Sequence, residues 1–254
     1  MDSNEMSKRL SKNYGELYDA ITDYLREYCL ATHFPVKGNA YANEQIQFLL
    51  VGRALNGWSH HDDKFSGEFP FDNLPERVDY IERATSATSA KDRFNFLSRD
   101  TFSRSAFWRT AKKISEALIG VEESSHEVWR EKIVWANLYP VAPCEGGNPS
   151  NRLIRKQRSI AKEILKETIE LYEPTHILFE TGWDYWMYYK DENNKYACMI
   201  DGIPESDIRK ICDRKEIVLW YGRIGNSKIV IANRPELKNE RKYVNAILEA
   251  FAKS

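Results

Sequence analysis

The residue whose type and position most suit chemistry is Asn137. It closes the apolar run Ile133-Val-Trp-Ala-Asn137, and the chain then enters a Pro/Gly/Asn-rich loop that reaches Asn148. A carboxamide carries a donor and an acceptor on one rigid plane, which matches the edge of a nucleobase. An Asn at that point also serves simply to tie a loop to its own strand. Asn56 has the type to orient a water without removing its proton, and Asn56-Gly57 equally suits a turn. Asp62 and Asp63 follow closely and can do more, although such a pair is commonly just a solvated loop. Arg234 is permanently cationic, so it stabilises a departing anion electrostatically and cannot shuttle a proton.

Other constellations carry less. Adjacent His60 and His61 rarely point at one ion, and no third ligand stands at helical spacing, so no metal is expected. Cys144 lies in a Pro/Gly loop, but His126 and His176 sit on other elements, which argues against a thiol nucleophile. The four cysteines form no C-x-x-C pair and read as reduced thiols.

These residues need a scaffold. Helical spacing covers residues 5–31, 74–85, 103–119, 124–131, 152–171, 183–189 and 236–251. Short apolar runs at 46–51, 133–138 and 175–182 read as strands buried on both faces. Residues 215–221 and 228–233 flank Gly222, Gly225 and Asn226 as a hairpin-like connection. Residues 190–213 show no usable pattern. Strands alternating with helices predict one α/β domain over 1–254. Its expected form is a three-layer α/β/α stack on a central, mostly parallel four-stranded sheet, with residues 1–35 as a helical extension. Ligands bind such sheets beyond the carboxyl ends of the strands, which here means loops 52–73, 137–151 and 233–238.

Composition bounds the partners. Hydrophobic residues make up 42% of the 254, enough for a large core, and the net charge of −1 leaves any polyanion site as a local patch. No apolar run reaches membrane-spanning length, and the amino-terminal residues lack a secretory pattern, so a cytoplasmic monomer is expected.

On these motifs the chain resembles the uracil-DNA glycosylase superfamily over roughly residues 46 to 251. Val51-Gly-Arg-Ala-Leu-Asn-Gly57 sits where that family has G-Q-D-P-Y, G-x-N-P-G or G-E-A-P-G. Pro70-Phe71 sits where a Phe stacks on the extruded base, and Ala136-Asn137-Leu138 is similar to the strand whose Asn reads uracil. Pro143 to Arg152 is similar to a P-P-G-N-R loop, Pro174 to Gly182 to a P-x-x-I-x-x-L-G strand, and Asn233-Arg-Pro-Glu236 stands in the place of H-P-S. The departures are Leu55 for Pro, Arg53 and Ala54 where some classes carry a water-positioning acid or amide, and Arg234 for His. Cluster-binding cysteines are missing from the pattern, so neither an iron–sulfur cluster nor any other cofactor is implied.

The resemblance implies excision of uracil or a related deaminated base from DNA, single strands included. It implies Asn137 as base reader and Phe71 or Trp58 as stacking face, with Gly52, Arg53 and Ala54 lining the base pocket. Asn56 and Asp62 fall on the water side and Arg234 on the leaving-group side. Asn148, Ser150, Arg152, Arg155 and Lys156 at a helix start, and Arg234 with Lys238, Arg241 and Lys242, would meet phosphates. The alternative is a glycosylase-like module that binds a nucleobase, nucleotide or nucleic acid without cleaving it. A dinucleotide enzyme fits less well, because Gly52 to Gly57 has too few glycines for that turn.

Overall fold

A computed structural model describes residues 3–27, 30–54, 66–67, 104–120, 128–143, 147–184, 186–190, 195–211 and 216–254. The chain packs as two compact units. The first comprises Met1–Pro35, Arg53–Ser89 and Ala136–Tyr172; the second comprises Val36–Gly52, Ala90–Trp135 and Glu173–Ser254.

In the first unit, helices α1 (Ser3–Ala20) and α2 (Thr22–Glu27) precede strand β1 (Leu30–Thr32). The expected single helix over 5–31 therefore breaks at Ile21 and ends in a strand. Leu10, Tyr14, Leu17, Tyr18 and Ile21 form one buried stripe at helical spacing. That stripe shares a core with Val141, Leu153 and Ile164. These helices are thus not an appended extension, because their apolar face supplies much of the unit's core. A long helix, Asn151–Tyr172, lies against α1, and Arg9 on α1 pairs with its Glu167 at 3.1 Å. The long helix starts where Ser150 Oγ accepts from the Leu153 N–H at 3.2 Å.

The first unit also holds a three-stranded sheet. Its centre is β1, flanked by Ser66–Gly67 and Val141–Pro143, both antiparallel to it. Gln157 of the long helix donates to the Val141 carbonyl at 3.0 Å and accepts from the Val141 N–H at 3.1 Å. That side chain is fully buried, so its amide acts as a substitute strand partner.

The remaining strands, numbered with these in chain order, are β2 (Val36–Lys37), β3 (Phe48–Gly52), β4 (Ser66–Gly67), β5 (Ile133–Asn137), β6 (Val141–Pro143), β7 (His176–Phe179), β8 (Tyr188–Lys190), β9 (Tyr196–Cys198), β10 (Val218–Ile224) and β11 (Ser227–Ala232). A mixed, mostly parallel sheet of six strands runs β10-β11-β7-β3-β5-β2, and α/β architecture holds. β7 is parallel to both β11 and β3, with Ile177 beside Ile229 on one side and Leu49 on the other. The central strands are mostly apolar, with polar residues at their ends, because they are buried on both faces.

The sheet has six strands rather than four for two reasons. β10 pairs antiparallel with β11 along its whole length, passing through Gly222 instead of ending before it. β2 is two residues long, too short to give a periodic signal, and pairs antiparallel with β5.

Two helices of the second unit pack on each other. The first of these, α3 (Ala106–Ile119), is capped by Ser105 and stopped by left-handed Gly120. The chain's last helix, Glu240–Lys253, is capped by Asn239 and packs on β10 and β11. Glu240 ties the pair by accepting from Arg109 at 2.9 Å and Lys113 at 2.7 Å. The long helix of the first unit is α4, a short helix at Glu205–Ile211 is α5, and the last helix is α6.

The expected helix at 183–189 is not formed. Among the described residues, turns follow Trp183, and Tyr188–Lys190 pairs antiparallel with Tyr196–Cys198. Trp183 stacks on Tyr188 at 5.6 Å between ring centroids, and that aromatic contact satisfies residues that mimic helical spacing. No helix among the described residues is long and apolar enough to cross a membrane.

Candidate functional site

Each carboxyl end of the central strands carries polar groups. In the first unit, the loop after β3 and the loop after β5 start side by side. The Tyr139 N–H donates to the Arg53 carbonyl at 2.9 Å. The small sheet reinforces this, because β4 from the first loop and β6 from the second both pair with β1. Asn137 is the last residue of β5, 8% exposed, and its Nδ2 has no hydrogen-bond partner among the described residues. A buried amide donor without a partner costs free energy in the folded chain, and a ligand carbonyl would recover it.

The helix start after that loop is less open to phosphate than its sequence implies. Arg152 lies over the Tyr24 ring at 5.2 Å from its centroid, and Lys156 pairs with Asp23 at 3.3 Å. Asn148, Ser150, Arg152 and Arg155 are exposed, and Ser150 uses its hydroxyl as the helix cap.

In the second unit, β3, β7 and β11 end together. The Glu180 N–H donates to Val51 O at 3.0 Å, and the Gly182 N–H donates to Ala232 O at 2.9 Å. Gly52 is the buried last residue of β3. Beyond β11, the turn Asn233–Lys238 closes with the Lys238 N–H on the Pro235 carbonyl at 3.0 Å. Arg234 is half-buried there and pairs with Glu236, so its charge is partly balanced. Leu237 has a left-handed backbone, φ 62°, and is fully exposed. A leucine at positive φ with no apolar cover is unusual.

No family model matches the chain, and no curated protein matches it. The site therefore rests on its own chemistry.

Arg53 and Ala54 are half-buried directly after β3. Asn56, Trp58, Asp62 and Phe71 lie outside the described residues, as do Asp63, Cys144 and His126. The structure thus places Gly52, Arg53, Ala54 and Asn137 at strand ends, and Arg234 with Lys238 on the turn after β11. Among the described residues, no group of three His, Cys, Asp or Glu is arranged to hold a metal. His176 opens β7, with its ring against Phe251. Burial, then Lys228 and Arg223, lower its pKa to about 4, and Thr175 Oγ1 sits 3.0 Å from its Nδ1.

Sequence reasoning passes over two residues at these ends. Glu180 is 1% exposed, and burial raises its carboxyl to about 8 against the hydroxyls of Thr110 and Tyr243. The available signal is one carboxylate directly after the apolar run 177–179 of β7, a placement that is costly unless the group is neutral. Leu237 is the other, and its signal is one apolar residue in the polar stretch Asn233–Asn239.

Proposed function

We propose that this protein is a DNA base-excision hydrolase of the uracil-DNA glycosylase type. In this reading it cleaves the N-glycosidic bond of uracil or a related deaminated base, single strands included, and acts as a cytoplasmic monomer. The observation that carries the reading is the buried amide of Asn137 at the carboxyl end of β5, whose Nδ2 has no partner among the described residues. A group left unsatisfied at a strand end is what a base-edge reader requires before its base arrives.

Each step has an assigned residue. Asn137 pairs with the base edge, while Phe71 or Trp58 supplies the stacking face. Gly52, Arg53 and Ala54 are assigned to base binding. Water adds at the sugar C1′ as the base departs with the bonding electron pair. Asn56 orients that water and Asp62 takes up its proton. Arg234 stabilises the negative base. Asn148, Ser150, Arg152, Arg155 and Lys238 contact phosphates. The exposed Leu237 on its tight turn has the form of an apolar wedge, which occupies the space of an extruded nucleotide.

One observation favours a second reading, a module that binds a nucleobase in nucleic acid without cleaving it. Arg234 already shares its charge with Glu236, which weakens it as a partner for a leaving group.

The test is incubation with single- and double-stranded oligonucleotides carrying uracil, hypoxanthine or xanthine, followed by alkaline cleavage of abasic sites. Abasic product that disappears in Asn137→Ala and falls in Asn56→Ala supports the hydrolase. Tight binding to a base-modified strand with no abasic product replaces it with the second reading. Neither binding nor cleavage removes both.

A further inference from the structure

Beneath the turn that carries Arg234 lies a carboxyl group that the proposed reaction does not use. Glu180 follows β7, the strand with a parallel neighbour on each side. Its main chain is held by Val51, and its side chain is buried. Oε1 accepts from Thr110 Oγ1 of α3 at 3.1 Å; Oε2 makes no direct hydrogen bond of good geometry among the described residues, although the Tyr243 hydroxyl lies close enough to act on the carboxyl.

The groups acting on this carboxyl come from three elements. They are Thr110 from α3, Tyr243 from α6, and Glu236 with Arg234 from the turn after β11. The cation among them, Arg234, is paired with Glu236. Burial is the largest influence and pushes the carboxyl to about 8, so it is neutral at pH 7.

Tyr243 connects this acid to the turn. Its hydroxyl is buried and donates to the Asn233 carbonyl at 2.7 Å, which pins the chain where β11 ends. A phenol has one proton to donate. A neutral carboxyl is a weak acceptor and leaves that proton on Asn233. A carboxylate makes a charge-assisted bond, roughly twice as strong, and competes for it.

We infer that Glu180, as a neutral acid, is a positioning residue: it leaves the Tyr243 hydroxyl on the Asn233 carbonyl, fixing the turn that presents Arg234 and Leu237, and its ionisation releases that turn. What the turn then does to a base rests on the function proposed above. The release itself does not.

The test uses the full chain without DNA. Lys238 is exposed beside Leu237, so trypsin cleavage after Lys238 reports opening of the turn. Rates are compared at pH 7 and 9.5 for wild type, Glu180→Gln and Tyr243→Phe. Taking ratios between variants at one pH cancels the protease's own pH dependence. Between these pH values the ionised fraction of Glu180 rises about tenfold.

Wild type should be cleaved at nearly the Glu180→Gln rate at pH 7 and several-fold faster than that variant at pH 9.5. Tyr243→Phe, which lacks the bond at every pH, should be cleaved rapidly already at pH 7. Wild type should approach it at pH 9.5, a comparison that serves even if Glu180→Gln does not fold. Ratios that stay constant across the pH range overturn the inference. So does a Tyr243→Phe protein cleaved no faster than wild type at pH 7. A pH-dependent turn in a protein that leaves every modified oligonucleotide intact keeps this inference and removes the base-excision reading.

Discussion

The main-chain N–H of Tyr139 donates to the carbonyl of Arg53 at 2.9 Å. This bond joins two loops that are far apart in sequence, one leaving β3 and the other leaving β5. It fixes the residue after Gly52 against a residue two positions past Asn137. β1 repeats the junction further along by pairing with β4 and β6 on its two edges. The first residues of the two loops thus share main-chain support, and firm support is what a precise binding group needs.

Asn137 itself gives the first prediction. Its Nδ2 is buried without a partner among the described residues, and a donor left unsatisfied costs about 1–3 kcal/mol. Replacing a structurally required Asn lowers stability, whereas removing an unsatisfied one does not. Asn137→Ala should therefore melt at or slightly above the wild-type temperature. The same variant should lose binding to uracil-containing oligonucleotides, read by fluorescence anisotropy. A clear drop in melting temperature with binding retained would reassign Asn137 to loop anchoring.

The second prediction concerns pH. Glu180 has a folded-state pKa raised from 4.5 to about 8, chiefly by burial. Between those values the folded chain keeps a proton that the unfolded chain has lost, so stability falls as pH rises through that window. His176 works in the opposite sense. Its pKa falls from 6.5 to about 4, chiefly by burial, so its stabilisation is present above pH 6.5 and is lost as pH falls toward 4. From pH 4.5 to 6.5 the two trends oppose each other. From 6.5 to 8 only the Glu180 trend remains, on the order of 2 kcal/mol of lost stability. Thermal melts across pH 5 to 9 should show this decline in wild type, and Glu180→Gln should be flat over pH 6.5 to 8. An equal decline in the variant would assign it to other groups.

The parts of this architecture legible in the sequence are those with a strong local pattern. β3, β5 and β7 read as apolar runs because both of their faces are covered, and Gly52, Asn137 and Thr181-Gly182 mark their ends. The β10–β11 hairpin is legible from Gly225 and Asn226 at its turn. β8 and β9 are not, because three-residue strands rich in Tyr have no period to read. The aromatic run from Trp183 has helical spacing, but tertiary stacking of Trp183 on Tyr188 decides its shape. Of the site, Asn137 is legible from its place at a strand end. Glu180 is not, because its importance lies in burial and in neighbours on α3 and α6 that are remote in sequence.

Gln157 gives a prediction about the scaffold. Its amide satisfies both main-chain groups of Val141, at 3.1 and 3.0 Å, from a fully buried position. Gln157→Ala leaves a buried N–H and a buried C=O unpaired and opens a small cavity. The expected cost is about 2–6 kcal/mol, from two desolvated groups at roughly 1–3 kcal/mol each. Chemical denaturation should report that loss. A change under about 0.5 kcal/mol, the size of an ordinary surface substitution, would mean that Val141 finds other partners.

Leu237 separates a wedge from a decorative surface residue. Its side chain is fully exposed and its backbone is left-handed, so Leu237→Ala removes no buried contact and should leave the melting temperature unchanged. Duplex DNA differs from a single strand in one relevant respect: its base must be unstacked and unpaired before it can be held, at a cost of a few kcal/mol. An apolar side chain filling the vacated stack offsets part of that cost. Leu237→Ala should therefore weaken handling of a uracil-containing duplex by about tenfold, which corresponds to roughly 1.4 kcal/mol. Handling of the matching single strand should change little, since no partner base has to be displaced. Parallel anisotropy and abasic-product assays on the two substrates measure this difference. Equal effects on both strands would place Leu237 in general contact with nucleic acid, and no effect on either would leave the turn's exposure without a role in base extrusion.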